Sequence, residues 1–257
     1  FSSDVDTYFR AEISLGIHPK EAEEAAGGDH AHETEYHIDP EEAFVETISL
    51  PMVTIKAGKF LVNFGKYNAV HSHALPFISK SKVQTTMFGN EGLAENGVGA
   101  SFLAPVSWFS EVSLQVLQAG NTSLFTEAHH TNAYALKVKN LWELSDALTL
   151  ELGTSALTFS AHDHSGTGVE DKTAVLGADL TFKWKPTVGG KYNSAVWSTE
   201  FIHKDRAGSN TDRNVGVTTF GRYQLSERLF AGAQYEYLGF TKNNAVKTNA
   251  YALQLAF

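Results

Sequence analysis

The sequence has no cysteine at all, which removes disulfide frameworks, thiolate metal sites and cysteine nucleophiles from consideration. Any metal would have to be held by His, Asp or Glu. Basic residues are in deficit, with 20 Lys and Arg against 29 Asp and Glu for a formal net charge of −9. No basic stripe offsets that balance, so a phosphate-neutralising face is missing and nucleic acid is excluded as a partner. No uninterrupted apolar run approaches the roughly 20 residues of a membrane-spanning helix. Neither an initiator Met nor a signal-peptide core opens the chain at Phe1, so the sequence reads as a mature or trimmed product. The spacings G-x-S-x-G, H-E-x-x-H and the phosphate loop are also missing, and no enzymatic activity is expected.

What is present is a folded composition, 42% hydrophobic and only 19% charged, arranged with a period of two. In the last segment Tyr251, Leu253, Leu255 and Phe257 share one face, and Ala250, Ala252, Gln254 and Ala256 the other. The same split sets Leu176, Ala178, Leu180, Phe182 and Trp184 against Gly177, Asp179, Thr181, Lys183 and Lys185. Near the start, Phe9, Ala11, Ile13, Leu15 and Ile17 oppose Tyr8, Arg10, Glu12, Ser14 and Gly16. Alternation at this length, about twice the 5 or 6 residues of an ordinary strand, with an apolar row and a polar row carrying charge, predicts an all-β transmembrane antiparallel up-and-down β-barrel. The expected strands are 5–17, 41–50, 52–63, 96–104, 108–118, 132–142, 147–160, 173–185, 193–204, 214–225, 228–239 and 246–257, about twelve in a single domain over 1–257. The alternation is least regular in 41–50.

Connection lengths point the same way, because outer-membrane barrels pair short periplasmic turns with long extracellular loops. Short links at Pro51, 105–107, 143–146, 186–192 and 226–227 alternate with longer ones that include 18–40 and 64–95. Trp108, Trp142, Trp184 and Trp197 all fall near short links, as a periplasmic aromatic girdle requires. The 64–95 connection holds Leu75, Pro76, Phe77, Ile78, Met87 and Phe88, too apolar for an idle loop, and is predicted to fold into the barrel mouth as a constriction. The inferred lumen nearly balances Arg10, Lys137, Lys139, Lys183, Lys185, Lys204 and Arg222 against Glu12, Glu111, Glu151, Asp179, Glu200 and Glu236. Such a lumen can cross-link itself, and about twelve strands enclose less space than the 16 to 18 of an aqueous porin. Passage would be limited to small solutes.

Histidine is the one over-patterned residue. All eleven fall in or beside the long connections, and His30/His32, His71/His73 and His162/His164 form His-x-His pairs, with His129 and His130 adjacent. Random placement at this composition gives about half of one such pair. Imidazole with nearby Asp29, Glu33, Glu35, Glu91 and Asp163 is a competent donor set for a first-row metal, zinc above all. The bland alternative is that solvated loops tolerate histidine without converging on anything.

The stretch Ala57-Gly58-Lys59-Phe60, Phe64-Gly65, Asn68, His71-Ser72-His73, Pro76-Phe77 and Phe88-Gly89-Asn90-Glu91-Gly92-Leu93 resembles a family of poorly characterised bacterial outer-membrane proteins. These are porin-like in sequence and sometimes labelled zinc-regulated outer-membrane receptors. Glu41-Glu42-Ala43-Phe44, Leu50-Pro51, Leu144-Ser145-Asp146 and Leu176-Gly177-Ala178-Asp179-Leu180 extend the likeness. The resemblance implies a bacterial outer-membrane location, a connection with metal uptake, and His71, His73 and Glu91 as candidate ligands; the His-x-His spacing independently offers His30 and His32. It also implies strands before the Phe1–Asp6 turn, which would make twelve an undercount. The 22-stranded barrel and plug of a TonB-dependent receptor do not fit into 257 residues. The expected function is therefore passage or capture of small solutes, divalent metal ions such as zinc foremost, with the bilayer and a protein of the outer membrane as expected partners. The alternative is a non-conducting structural or docking barrel in a cell-surface complex.

Overall fold

A computed structural model of the chain describes residues 2–4, 8–19, 36–71, 74–76, 80–120, 124–125, 131–161, 171–188, 192–207, 212–240 and 247–256. They form one antiparallel sheet in which every strand pairs with its sequence neighbours. The strands are β1 (Ser2–Asp4), β2 (Phe9–Pro19), β3 (Tyr36–Thr47), β4 (Val53–Leu61), β5 (Ala94–Leu103), β6 (Phe109–Gln118), β7 (Asn132–Ser145), β8 (Leu148–Ala161), β9 (Asp171–Trp184), β10 (Ser194–Ala207), β11 (Asp212–Gln224), β12 (Phe230–Phe240) and β13 (Lys247–Ala256). The all-β, up-and-down architecture read from the alternation is the architecture found. β1, three residues long, is an additional piece, and β3 begins at Tyr36 rather than at residue 41. Among the described residues β1 pairs with β2 alone and β13 with β12 alone, so the sheet is not closed.

It is nevertheless strongly curled. The Lys66 amide donates to Glu200 on β10 at 2.7 Å, and His71, five residues on, meets Glu42 on β3 at 2.8 Å. Five residues span at most about 18 Å, whereas a flat sheet would hold β3 and β10 about 34 Å apart. The described residues of segment 62–93, between β4 and β5, therefore lie on the concave side, with the strands wrapped around them.

The two faces have opposite character, in the reverse sense to a water-soluble sheet. Outward rows expose Ile13, Leu114, Val116, Tyr134, Leu176 and Phe201, while Lys137, Glu151, Asp179, Glu200, Thr218 and Glu236 are buried on the concave face. The inward row is itself divided along the strands. Towards the short turns it is polar; towards the longer connections it becomes apolar, with Leu117, Leu157, Phe159, Val175, Ile202 and Leu238 packed against Phe64, Val83, Met87, Phe88 and Leu93 of the inserted segment. The four indoles lie at the short-turn end, Trp108 beside Trp142 at 6.2 Å and Trp197 stacked on Phe182 at 5.8 Å between ring centroids.

Candidate functional site

The inserted segment is built to stay in place. Asn68 fastens its base, donating to the carbonyls of Val62 (2.7 Å) and Leu93 (3.0 Å) and accepting from the Leu93 amide (2.8 Å). Within it, α1 (Lys82–Phe88) starts at Ser81, whose hydroxyl accepts from the Gln84 amide at 3.1 Å, and stops at Gly89, whose amide donates to the Thr85 carbonyl. Val83, Gln84, Met87 and Phe88 are its buried residues, the spacing of one helical face. Gly216 on β11 makes room for the Val83 side chain, with which any Cβ there would collide. Gly65 adopts φ +58° with Glu200 directly against it, so a side chain there would meet both backbone strain and a carboxylate.

Charge ties the segment to the wall. The Lys66 ammonium meets Glu151 at 2.7 Å, with Lys183 and Lys139 on the same carboxylate at 3.4 and 3.8 Å. Burial pushes the Lys66 ammonium below the usual lysine range, and Glu151 opposes that shift. The Lys137 ammonium donates to the Asn63 side-chain oxygen at 2.9 Å and to the Gly65 carbonyl. Gln84 donates to Glu200 at 2.9 Å, and the Gly65 amide to the Ser155 hydroxyl at 2.9 Å. Glu151 thus gathers three ammonium groups, whereas Lys137 and Glu200 are met by neutral amide and carbonyl groups and one Asp179 oxygen is buried without a hydrogen bond.

A second cluster sits on the β2–β4 side. His71, Glu42 and Glu12 bring one ligand atom each to within 4.8 Å of one another, the group of this kind among the described residues. His71 Nε2 is 2.8 Å from Glu42, and its Nδ1 is 3.4 Å from Glu41. Consecutive strand residues normally face opposite ways. Here the pairing of β2 with β3 slips between Ser14 and Leu15, leaving Glu41 as the extra residue of a bulge, and a bulge re-aims side chains. Glu42 is fixed by the Leu61 amide on its other oxygen at 2.7 Å. Glu12 is engaged by Arg10 at 2.7 Å, and Arg10 also reaches Glu46 at 3.4 Å.

Two carboxylates and an imidazole suit a divalent first-row ion, and a carboxylate on the other ring nitrogen is the usual support for a ligating histidine. Arg10 opposes metal entry by occupying Glu12. Of the residues expected from sequence, His71 is in the cluster. Glu91 is exposed outside it, its backbone carbonyl accepting from the Lys80 ammonium. His73, His30 and His32 lie outside the described residues. Glu12 and Glu42 were not among the expected ligands. The signal for Glu42 was two successive acids in a strand whose alternation fails.

No family model matches the chain. An uncharacterized protein of Aquifex aeolicus (strain VF5) is 24% identical over 237 residues, covering 81% of this chain. The chain spans about half the length of that relative, 49%.

Proposed function

We propose that the chain forms the wall of a bacterial outer-membrane β-barrel that admits or captures small solutes, with a divalent metal ion such as zinc held by His71, Glu42 and Glu12. The observation that carries the membrane reading is the inversion of the two faces. Leu114 is 59% exposed and Leu176 51%, while Glu200 is 2% exposed and Asp179 3%. In water that arrangement forfeits the hydrophobic driving force on one face and desolvates charge on the other. In a bilayer the outer row is solvated by lipid, and the paired backbone of a sheet satisfies its polar groups. The clustered indoles fit one membrane–water interface.

Planar-bilayer recording of the purified full chain tests the reading, with zinc added in steps. Discrete openings that zinc blocks or modulates are the expected result. Openings indifferent to zinc would remove the metal from the proposal. A second reading, a non-conducting barrel that serves as a scaffold, is favoured by the Lys66, Lys137, Glu151 and Glu200 network that fixes segment 62–93 across the concave face. A folded, inserted and electrically silent protein would select it.

A further inference from the structure

A cavity of about 200 Å³ lies between the inserted segment and the β11–β13 wall, on strands other than those of the Glu12, Glu42 and His71 cluster. Its space comes from side chains that are small or missing, at Gly232, Ala250 and Ala252. Three cations border it: Lys82 from the segment, Arg222 from β11, and Lys80 from the segment, whose ammonium already donates to the Glu91 backbone carbonyl and is attracted by the Glu91 and Glu41 carboxylates. Glu236 is the one carboxylate on its lining. Both of its oxygens are already used, one by the Lys82 amide at 2.6 Å and the other by the side chain of Gln234. Among the described residues neither the Lys82 ammonium nor the Arg222 guanidinium has an acidic partner. Arg222 instead rests over the Phe230 ring, 5.2 Å from its centroid, a contact that gives its N–H groups no oxygen acceptor. The whole chain carries a net charge of −9, so a lining with three cations and one engaged carboxylate runs against the sign of the molecule.

We propose that this cavity is a binding site for a small oxyanion, a carboxylate or phosphate group carried by a solute of few atoms. The planar fork of Arg222 matches two oxygens of such a group, Lys80 and Lys82 supply point charges, and the Gln234 and Gln254 amides at its border add neutral polar groups. The site goes beyond the proposed metal capture and does not depend on it. Its volume is below the roughly 300 Å³ at which drug-sized pockets begin, which restricts the ligand to small anions.

Calorimetry on the folded full chain in detergent, with inorganic phosphate and acetate as separate probes, tests the inference. Saturable binding of at least one probe is expected, weakened at least about tenfold by Arg222→Gln and abolished by adding Lys82→Gln. Binding of both probes would mark a general oxyanion site, and of phosphate alone a site that requires a dianion. Lys82 is exposed, so Lys82→Gln alone keeps the test valid should the Arg222 variant fail to fold, with a several-fold loss expected. Absence of saturable binding of either anion to the folded chain, or binding unchanged in the folded variants, would overturn it. Zinc titration of the same variants separates the two sites, since a failure at His71 leaves the anion result untouched, and the reverse.

Discussion

At the scale of single residues, the β3 bulge is what turns a polar wall into a candidate ligand set. Without it Glu41 and Glu42 would face opposite sides of the sheet, and one imidazole could not meet both. This sharpens the expectation for mutants. Replacing His71 by Ala or Glu42 by Gln should each weaken zinc binding at least tenfold, about 1.4 kcal/mol, in calorimetric titrations. Glu91→Ala, outside the cluster, should leave the affinity as it was; the opposite ranking would sink the site. Replacing Arg10 by Gln should strengthen binding, because it frees Glu12 from a 2.7 Å ion pair. The sequence exposed His71 through its His-x-His spacing. It did not expose Glu12 and Glu42, because partners across strands are chosen by register, and a one-residue slip in register is invisible in a list of residues.

At the scale of elements, segment 62–93 departs furthest from a plain loop. It is closed at its base by Asn68, carries a capped helix, and meets the wall by both apolar packing and charge. Asn68→Ala leaves the buried Leu93 amide without its acceptor and takes one hydrogen bond each from the Val62 and Leu93 carbonyls, which keep the Phe64 and Val62 amides, and should destabilise the segment by about 1–3 kcal/mol. The measurement is limited proteolysis within 62–93, which should accelerate while the strands stay protected. Gly216→Val drives a side chain into Val83 and should displace α1 with the same protease signature. Replacing the segment by a short Gly-Ser link should raise the single-channel conductance if the segment obstructs the lumen, and an unchanged conductance would show that it does not. Its apolar residues signalled in the sequence that the connection must pack somewhere. The helix was not anticipated, because seven residues offer less than two full turns of periodicity.

At the scale of the whole molecule, the inverted sheet makes the strongest claim on environment. Leu114→Arg, at an exposed outer position on β6, should cost about 2–4 kcal/mol in vesicle-based unfolding if that position faces the bilayer midplane; a cost near zero would place the row in water. The strands themselves were legible because alternation with a period of two, repeated over segments of ten or more residues, has few solutions other than long antiparallel strands with two unlike faces. Neighbour-to-neighbour pairing followed from short links that leave consecutive strands no other partner. The boundary of β3 was misjudged because the bulge at Glu41 and Pro40 breaks the alternation used to find it. By itself the sequence determined the fold class, the strand order and which rows are apolar, since these depend on local period and connection length. The tertiary structure alone decided that segment 62–93 lies against the concave wall, that His71 meets Glu42 and Glu12 rather than Glu91, and that three cations gather beside β11–β13. Each of those is a contact between residues far apart in the chain, selected by curvature and register, and neither quantity is written in the neighbourhood of any one residue.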